Sequence, residues 1–265
     1  QRQHYCFVKR HQLGDSQNPD KATLDYNIRR QTLTINDLKR YGIKSLQIND
    51  YSEITLILNE IENRYKKKTV FISGSAESYE PFEKNEAVGF VHNLAKVIIE
   101  NDFRIVNGFG WGIGSSVING ALESIYNNPI KFSESQLILK PFPQFETGEK
   151  PLKVLWEEYR QKMISQCGIS FFVFGNKRGT ESDIVEANGV IREFEISREN
   201  GNICIPIGMT GYATNTIYKM IASEPEKYYE HLDFFVPVIN ELADPKTTSE
   251  QAIKIIDKLL KQLKK

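Results

Sequence analysis

From Thr69 onward the chain alternates short, nearly unbroken apolar runs with longer stretches whose apolar residues recur every three or four positions. Val70-Phe71-Ile72 reads as a strand, and residues 103–106, 137–139, 169–174 and 203–207 repeat the pattern. Helices are expected over 86–100, with Val88, Val91, Leu94, Ala95, Val97 and Ile98 inward, and over 117–126, 152–166 and 184–200. Strands that are almost wholly apolar suit a sheet buried on both faces. Their alternation with helices predicts a parallel sheet joined by right-handed crossovers. Such sheets bind ligands beyond the carboxyl ends of their strands, where the strand order reverses. Ser249 is the expected N-cap of a terminal amphipathic helix running to Lys265.

The first 66 residues read differently. A polar, breaker-rich loop occupies 14–21, and 29–38 mixes charge with sparse apolar residues. Leu38-Lys39-Arg40-Tyr41-Gly42-Ile43 reads as a helix end with a glycine stop. Residues 46–48 form a short strand candidate, and 51–65 an amphipathic helix through Ile54, Leu56, Ile57, Leu58 and Ile61. No complete core is legible there. Lys66-Lys67-Lys68 marks the expected boundary, a solvated linker between a unit over 1–66 and one over 67–265. The chain opens at Gln1, which is expected of a fragment or a processed product.

Lys+Arg and Asp+Glu number 34 each, so no global field draws the chain to nucleic acid or an anionic membrane. Cys6, Cys167 and Cys204 are too scattered for a metal site or disulfide framework, which fits a reducing cytosol. Cys167 and Cys204 adjoin apolar runs and read as buried small hydrophobes. His4, His11, His92 and His231 fit neither a triad nor zinc spacing, and no Gly-x-Ser-x-Gly elbow or phosphate-loop lysine is present. No metal and no catalytic residue is expected.

The chemistry gathers at strand ends. Arg104-Ile105-Val106 runs into Asn107-Gly108-Phe109-Gly110-Trp111-Gly112-Ile113-Gly114-Ser115-Ser116. A strand, a glycine-rich turn and a helix N-terminus together offer backbone amides to an anion. A turn that merely lets a helix pack on the sheet is the alternative. The first strand ends in Ser73-Gly74-Ser75, small residues whose hydroxyls can bond phosphate or ribose, or cap a turn. Arg160 borders the apolar face of Trp156, Tyr159 and Met163; a guanidinium can clamp a diphosphate or form a surface salt bridge. Lys177 and Arg178 follow Phe174-Gly175 at another strand end, as ligand contacts or as a solvated loop. Glu193 sits among Gly189, Val190, Ile191 and Phe194, able to accept from a ribose hydroxyl or to stand as an ordinary helix charge. Many anion donors and no nucleophile–base pair favour binding over catalysis.

These pieces resemble a SLOG domain, the Rossmann-like nucleotide-sensing relative of the LOG phosphoribohydrolases. The matching motifs are Ile72-Ser73-Gly74-Ser75-Ala76, the loop over 108–116, Tyr159-Arg160-x-x-Met163-Ile164, Phe174-Gly175-Asn176-Lys177, Gly189-x-x-x-Glu193-Phe194-Glu195 and Ile205-Pro206-Ile207-Gly208-x-Thr210-Gly211-Tyr212. The resemblance is greatest to the SLOG domain that follows a sirtuin-like NAD-hydrolysing domain in effectors of the bacterial Thoeris anti-phage system. Residues 1–66 resemble the end of that sirtuin-like domain. The fold implied is an α/β, Rossmann-like (SLOG/LOG-type) parallel sheet flanked by helices, preceded by a helical remnant of an N-terminal domain.

The resemblance also implies function. A TIR enzyme makes a cyclic ADP-ribose isomer, the SLOG domain binds it, and the homo-oligomer, a dimer through SLOG and a tetramer when intact, depletes NAD in the cytoplasm. Carried onto this sequence, Arg160 and Lys177 hold phosphates and Glu193 binds ribose. Ser73, Gly74 and Ser75 cradle the diphosphate with Gly108, Gly110, Gly112, Gly114 and Ser115. This chain would hold no resident cofactor, and NAD would be the substrate of the sirtuin-like domain. LOG enzymes carry Pro-Gly-Gly-x-Gly-Thr-x-x-Glu where this chain has Gly175-Asn176-Lys177-Arg178-Gly179-Thr180-Glu181, a departure that speaks against LOG-type hydrolysis. A phosphoribohydrolase acting on nucleoside monophosphates is the runner-up, and a nucleic-acid module the third reading.

Overall fold

The computed structural model describes residues 4–146, 148–230, 232 and 234–264. The chain divides into two compact units, Gln1–Arg64 and Tyr65–Lys265.

In the first unit, β1 (His4–Lys9), α1 (Lys21–Arg40) and β2 (Ile43–Ile48) precede α2 (Glu53–Lys67), which carries the chain out of it. β1 and β2 pair in parallel, His4 opposite Ile43 and Lys9 opposite Ile48. The intervening helix is the crossover that parallel pairing requires. Asp20 caps α1, its carboxylate accepting from the Thr23 amide at 2.9 Å. Gly42, with φ of 74°, makes the stop after Arg40. Among the described residues before Tyr65 only Asn18 and Ile48 are buried, so the unit has elements without a substantial core.

Two features there depart from the sequence reading. β1 is a strand that the pattern did not announce. The lysine run is no linker: Lys66 and Lys67 complete α2, and Lys68 Nζ lies 3.0 Å from the Asp102 carboxylate.

The second unit runs β3 (Thr69–Ser75), α3 (Lys84–Glu100), β4 (Arg104–Asn107), α4 (Gly114–Asn127), β5 (Leu137–Leu139), α5 (Leu152–Ile164) and β6 (Ile169–Phe174). It continues through β7 (Asn176–Arg178), β8 (Ile184–Glu186), α6 (Asn188–Glu199), β9 (Ile203–Pro206), α7 (Tyr212–Ser223), α8 (Phe235–Glu241) and α9 (Ser249–Leu263). Five strands form one parallel sheet in the order β5-β4-β3-β6-β9. The chain moves outward from β3 to β5, then returns to β6 on the other side. The strand order therefore reverses between β3 and β6, and in such sheets ligands bind at the carboxyl ends of the strands beside the reversal.

Alternation along the strands divides the core. Phe71 and Val106 pack with Met163, Ile164, Cys167 and Ile196 of the α5–α6 side. Val70, Ile72 and Ile105 join the larger cluster with Leu94, Ile98, Val117, Ile256 and Leu260. α3 and α4 approach closely, because a Cβ at Gly120 would lie 2.0 Å from the His92 carbonyl oxygen.

The helix expected over 184–200 begins only at Asn188; Ile184–Glu186 is β8, paired antiparallel with β7. α9 is capped by Thr248, not Ser249: Thr248 Oγ1 accepts from the Gln251 amide, and Gln251 Oε1 accepts from the Thr248 amide. Ser249 instead donates to Glu86 at 2.7 Å. Lys265, the expected end of that helix, lies outside the described residues. α7 and α8 are helices the sequence reading did not place. Among the described residues no helix is long and apolar enough to cross a membrane.

Candidate functional site

Ser73 stands in the last turn of pleat of β3, where the sheet ends. Its hydroxyl donates to Glu193 Oε2 at 2.6 Å. Arg160 Nε donates to the other carboxylate oxygen at 3.3 Å. α5 supplies the arginine and α6 the glutamate, so residues far apart in sequence meet beside the point where the strand order reverses. Arg160 and Glu193 side chains are 17% and 11% exposed, which makes this pair an inside feature and not the surface salt bridge that spacing allowed. Burial pushes the Glu193 carboxyl above its ordinary range, against the opposing pull of Ser73 and Arg160. The Arg160 guanidinium also lies over the Phe142 ring, 5.2 Å from its centroid.

On its outer side the same helix pair is joined again. Arg192 Nη2 donates to Glu157 Oε1 at 2.6 Å, and Arg192 Nη1 to Glu195 at 2.8 Å. The Arg192 hydrogen bond is the largest influence holding Glu157 below the usual carboxylate range. α5 thus contributes Glu157 and Arg160, and α6 answers with Arg192 and Glu193.

The glycine loop is seated directly on the end of β3. A Cβ at Gly110 would lie 2.0 Å from the Gly74 carbonyl oxygen, and one at Gly112 2.0 Å from that of Ala76. A Cβ at Gly74 would meet the Val173 carbonyl oxygen at 2.2 Å. Gly112 adds a φ of 75°. These glycines let three backbones close on one another. The Ala76 amide donates to the Trp111 carbonyl at 2.8 Å, and Tyr79 Oη to the Gly112 carbonyl at 2.9 Å. Asn107 Oδ1 accepts from the Phe109 amide, and Gly110 O accepts from Gly114. Several loop amides are thus committed within the protein. Gly114 starts α4, with Ser115 exposed in its first turn. Gly108 faces the Phe142 ring, 2.7 Å from where its Cβ would stand.

The β7–β8 hairpin flanks this end of the sheet. Asn176 is wholly buried; its Oδ1 accepts from the Glu77 and Ser78 amides at 2.8 and 2.9 Å, and its Nδ2 donates to Ser78 O at 2.8 Å. Ser75 Oγ donates to the Asn176 carbonyl at 2.9 Å. Arg178 pairs with Glu77, whose other oxygen accepts from the Trp111 indole at 2.8 Å. Lys177 is exposed on β7 and lines an open groove with Arg178, Thr180, Asp183 and Glu186.

The structure therefore brings Ser73, Arg160 and Glu193 into direct contact, and packs Gly74 against Gly110. Lys177 stands on the hairpin, outside that contact set. Phe142 and Glu77 carried no local sequence signal, and Asn176 was visible only as part of a motif. Cys167 and Cys204 are buried, and burial pushes the Cys204 thiol up to about 12, so both are inert small hydrophobes. His92 bonds Glu123 across α3 and α4, and His231 lies outside the described residues. Among the described residues no group of three side chains could hold a metal ion.

Comparison with known proteins gives a family. The profile of the Sir2- and TIR-associating SLOG family (STALD) matches residues 53–263. An NAD(+) hydrolase ThsA of Bacillus cereus (strain MSX-D12) is 44% identical over 235 residues, covering 88% of this chain and 48% of that protein. An NAD(+) hydrolase ThsA of Cytobacillus dafuensis is 35% identical over 269 residues, covering 99% of this chain and 54% of that protein. One from Enterococcus faecium is 39% identical over 235 residues, covering 87% and 48% respectively. The chain spans about half the length of these curated relatives. With a family profile matching most of its length, the chain belongs to the Sir2- and TIR-associating SLOG family.

Proposed function

We propose that residues 67–265 form a sensor that binds a cyclic ADP-ribose isomer, and that residues 1–66 are the end of a sirtuin-like NAD-hydrolysing domain controlled by it. The observation that carries this reading is the buried Ser73–Glu193–Arg160 cluster beside the glycine loop. Arg160 spends its Nε on Glu193, which leaves the outer edge of the guanidinium for a phosphate. Glu193, held by two donors, keeps acceptor capacity for a ribose hydroxyl. Ser75, the glycine loop and Ser115 provide the remaining polar lining, and Lys177 supplies a second cation from the hairpin. A regulatory role in defence against phage accords with the family description and with relatives named as NAD(+) hydrolases. Homo-oligomerisation and a cytoplasmic location belong to the same proposal.

One observation favours a second reading. A buried carboxyl with a raised pKa beside an arginine also suits cleavage of a nucleoside monophosphate at its glycosidic bond. Glu193 is nevertheless tied at both oxygens, which suits holding a ligand better than moving a proton. Calorimetric titration of the purified protein with cyclic ADP-ribose isomers separates the two. Saturable binding that Arg160→Ala weakens supports the sensor. Release of free base from AMP, lost in Glu193→Ala, supports the hydrolase.

A further inference from the structure

Three pairwise contacts connect Gly108, the Phe142 ring, the Arg160 guanidinium and Gly189. A Cβ added at Gly108 would stand 2.7 Å from Phe142 Cε2 and 3.5 Å from Met163 Cε. The same ring makes the cation–π contact, with Arg160 Cζ 5.2 Å from its centroid. A Cβ added at Gly189 would stand 3.0 Å from Arg160 Nη2. The ring is held in turn: Phe142 packs against Tyr159 with centroids 5.7 Å apart, and Trp156 Nε1 donates to Pro143 O at 2.7 Å. The guanidinium thus meets the Phe142 ring, the backbone of Gly189 beside Nη2, and the Glu193 carboxylate at Nε.

We infer that Gly108 and Gly189 are positioning residues for Arg160, acting through the space they leave for the Phe142–Arg160 stack and not through contact with a ligand. Gly108 has this role although it belongs to the glycine loop. It is the place where the loop touches the arginine arm of the site, so loop and guanidinium form one mechanical unit. Gly189 lies in the first turn of α6, four residues before Glu193. The helix that presents the carboxylate anchor therefore also leaves the gap for the cation. Its φ is outside the left-handed region, so alanine is conformationally acceptable there and only space is lost. The neighbour that must yield is the flexible end of a side chain, so folding tolerates the change while the guanidinium shifts.

This inference rests on the sensor reading for its ligand, and two measurements keep the two apart. The first is titration of the parent, Gly189→Ala, Arg160→Ala and the double variant with a cyclic ADP-ribose isomer, with thermal unfolding of each. Gly189→Ala is expected to unfold no lower than the parent and to bind at least about fivefold more weakly. In the Arg160→Ala background the same substitution is expected to cost nothing further, because its only route to the ligand is gone. Equal affinity of Gly189→Ala and parent, or an equal loss in both backgrounds, overturns the inference. The second measurement needs no ligand. The Arg160 Nε–H resonance, shifted and slowed in exchange by its bond to Glu193, is read by 15N NMR in parent, Gly189→Ala and Gly108→Ala. Altered shift and faster exchange in both variants support the stack, and an unchanged resonance refutes it. If the parent binds no isomer, the sensor reading fails and the resonance alone decides the inference.

Discussion

Alanine at Gly110 separates steric seating from backbone conformation. Gly110 does not occupy the left-handed region, so alanine can adopt its backbone angles. The added Cβ would nevertheless lie 2.0 Å from the Gly74 carbonyl oxygen, a distance real Cβ atoms essentially never show. The loop or the end of β3 must retreat by about 1 Å, in the range where overpacking costs about 1–3 kcal/mol. The bond from the Ala76 amide to Trp111 O, at 2.8 Å, is the first to stretch. Gly89 in α3 is the control, since a Cβ there meets nothing within 4 Å. Gly89→Ala is expected to gain about 0.5–1 kcal/mol from the unfolded chain's lost freedom. At about 2–4 °C per kcal/mol for a domain of this size, Gly110→Ala falls by roughly 2–12 °C and Gly89→Ala rises by a few degrees. Differential scanning calorimetry reads both. A Gly110 variant that melts with or above the Gly89 variant would show that the loop does not rest on β3 and would refute the reasoning.

Three further expectations concern the buried polar groups. Ser73→Ala removes one of the two donors to Glu193 and should cost about 1–3 kcal/mol at neutral pH in urea unfolding, the penalty of an under-satisfied buried group. Glu193→Gln should change the pH dependence of stability. Burial raises the native pKa of Glu193 above its unfolded value near about 4.3, so the native state holds the proton more tightly. Parental stability then falls as pH rises from the unfolded value through the native one, and the glutamine variant lacks that decline. Parallel melting-temperature curves against pH would contradict the assignment. Asn176→Ala strips the acceptor from the Glu77 and Ser78 amides and should cost about 2–4 kcal/mol in the same urea assay. Exposed Arg178→Ala, by comparison, should cost under about 1 kcal/mol.

What could be read beforehand follows a physical division. β6 was legible to the residue, because Ile169–Phe174 is six buried positions in a row and nothing but a central strand accommodates them. The core face of α3 was legible from its period, since Val91, Leu94, Ala95, Val97 and Ile98 are buried as their spacing predicts. Ile184 and Val185 were read as the start of a helix because they continue the apolar spacing of α6. Their β-branched side chains instead join a hairpin whose partner strand, Asn176–Arg178, is only three residues long. β1 has a weak alternation and takes its definition from pairing with β2, more than thirty residues away in the chain. The site shows the same limit. Ser73 and the glycines could be found because strand ends and glycine runs are local signals. That Glu193 Oε2 would accept from Ser73 Oγ, across 120 residues, is a product of topology alone. Phe142 had no signal of any kind, since its contacts with Gly108 and Arg160 are made by topology alone.

One titration tests the nucleotide-sensing role of the site most directly. Calorimetry of the purified protein against a panel of cyclic ADP-ribose isomers, repeated with Arg160→Ala and Ser73→Ala, tests whether the Ser73–Glu193–Arg160 cluster is the heart of a nucleotide-sensing site. The predicted result is saturable binding of at least one isomer, weakened strongly but still measurably in Arg160→Ala and less in Ser73→Ala. No binding of any isomer, or binding indifferent to Arg160, would contradict it.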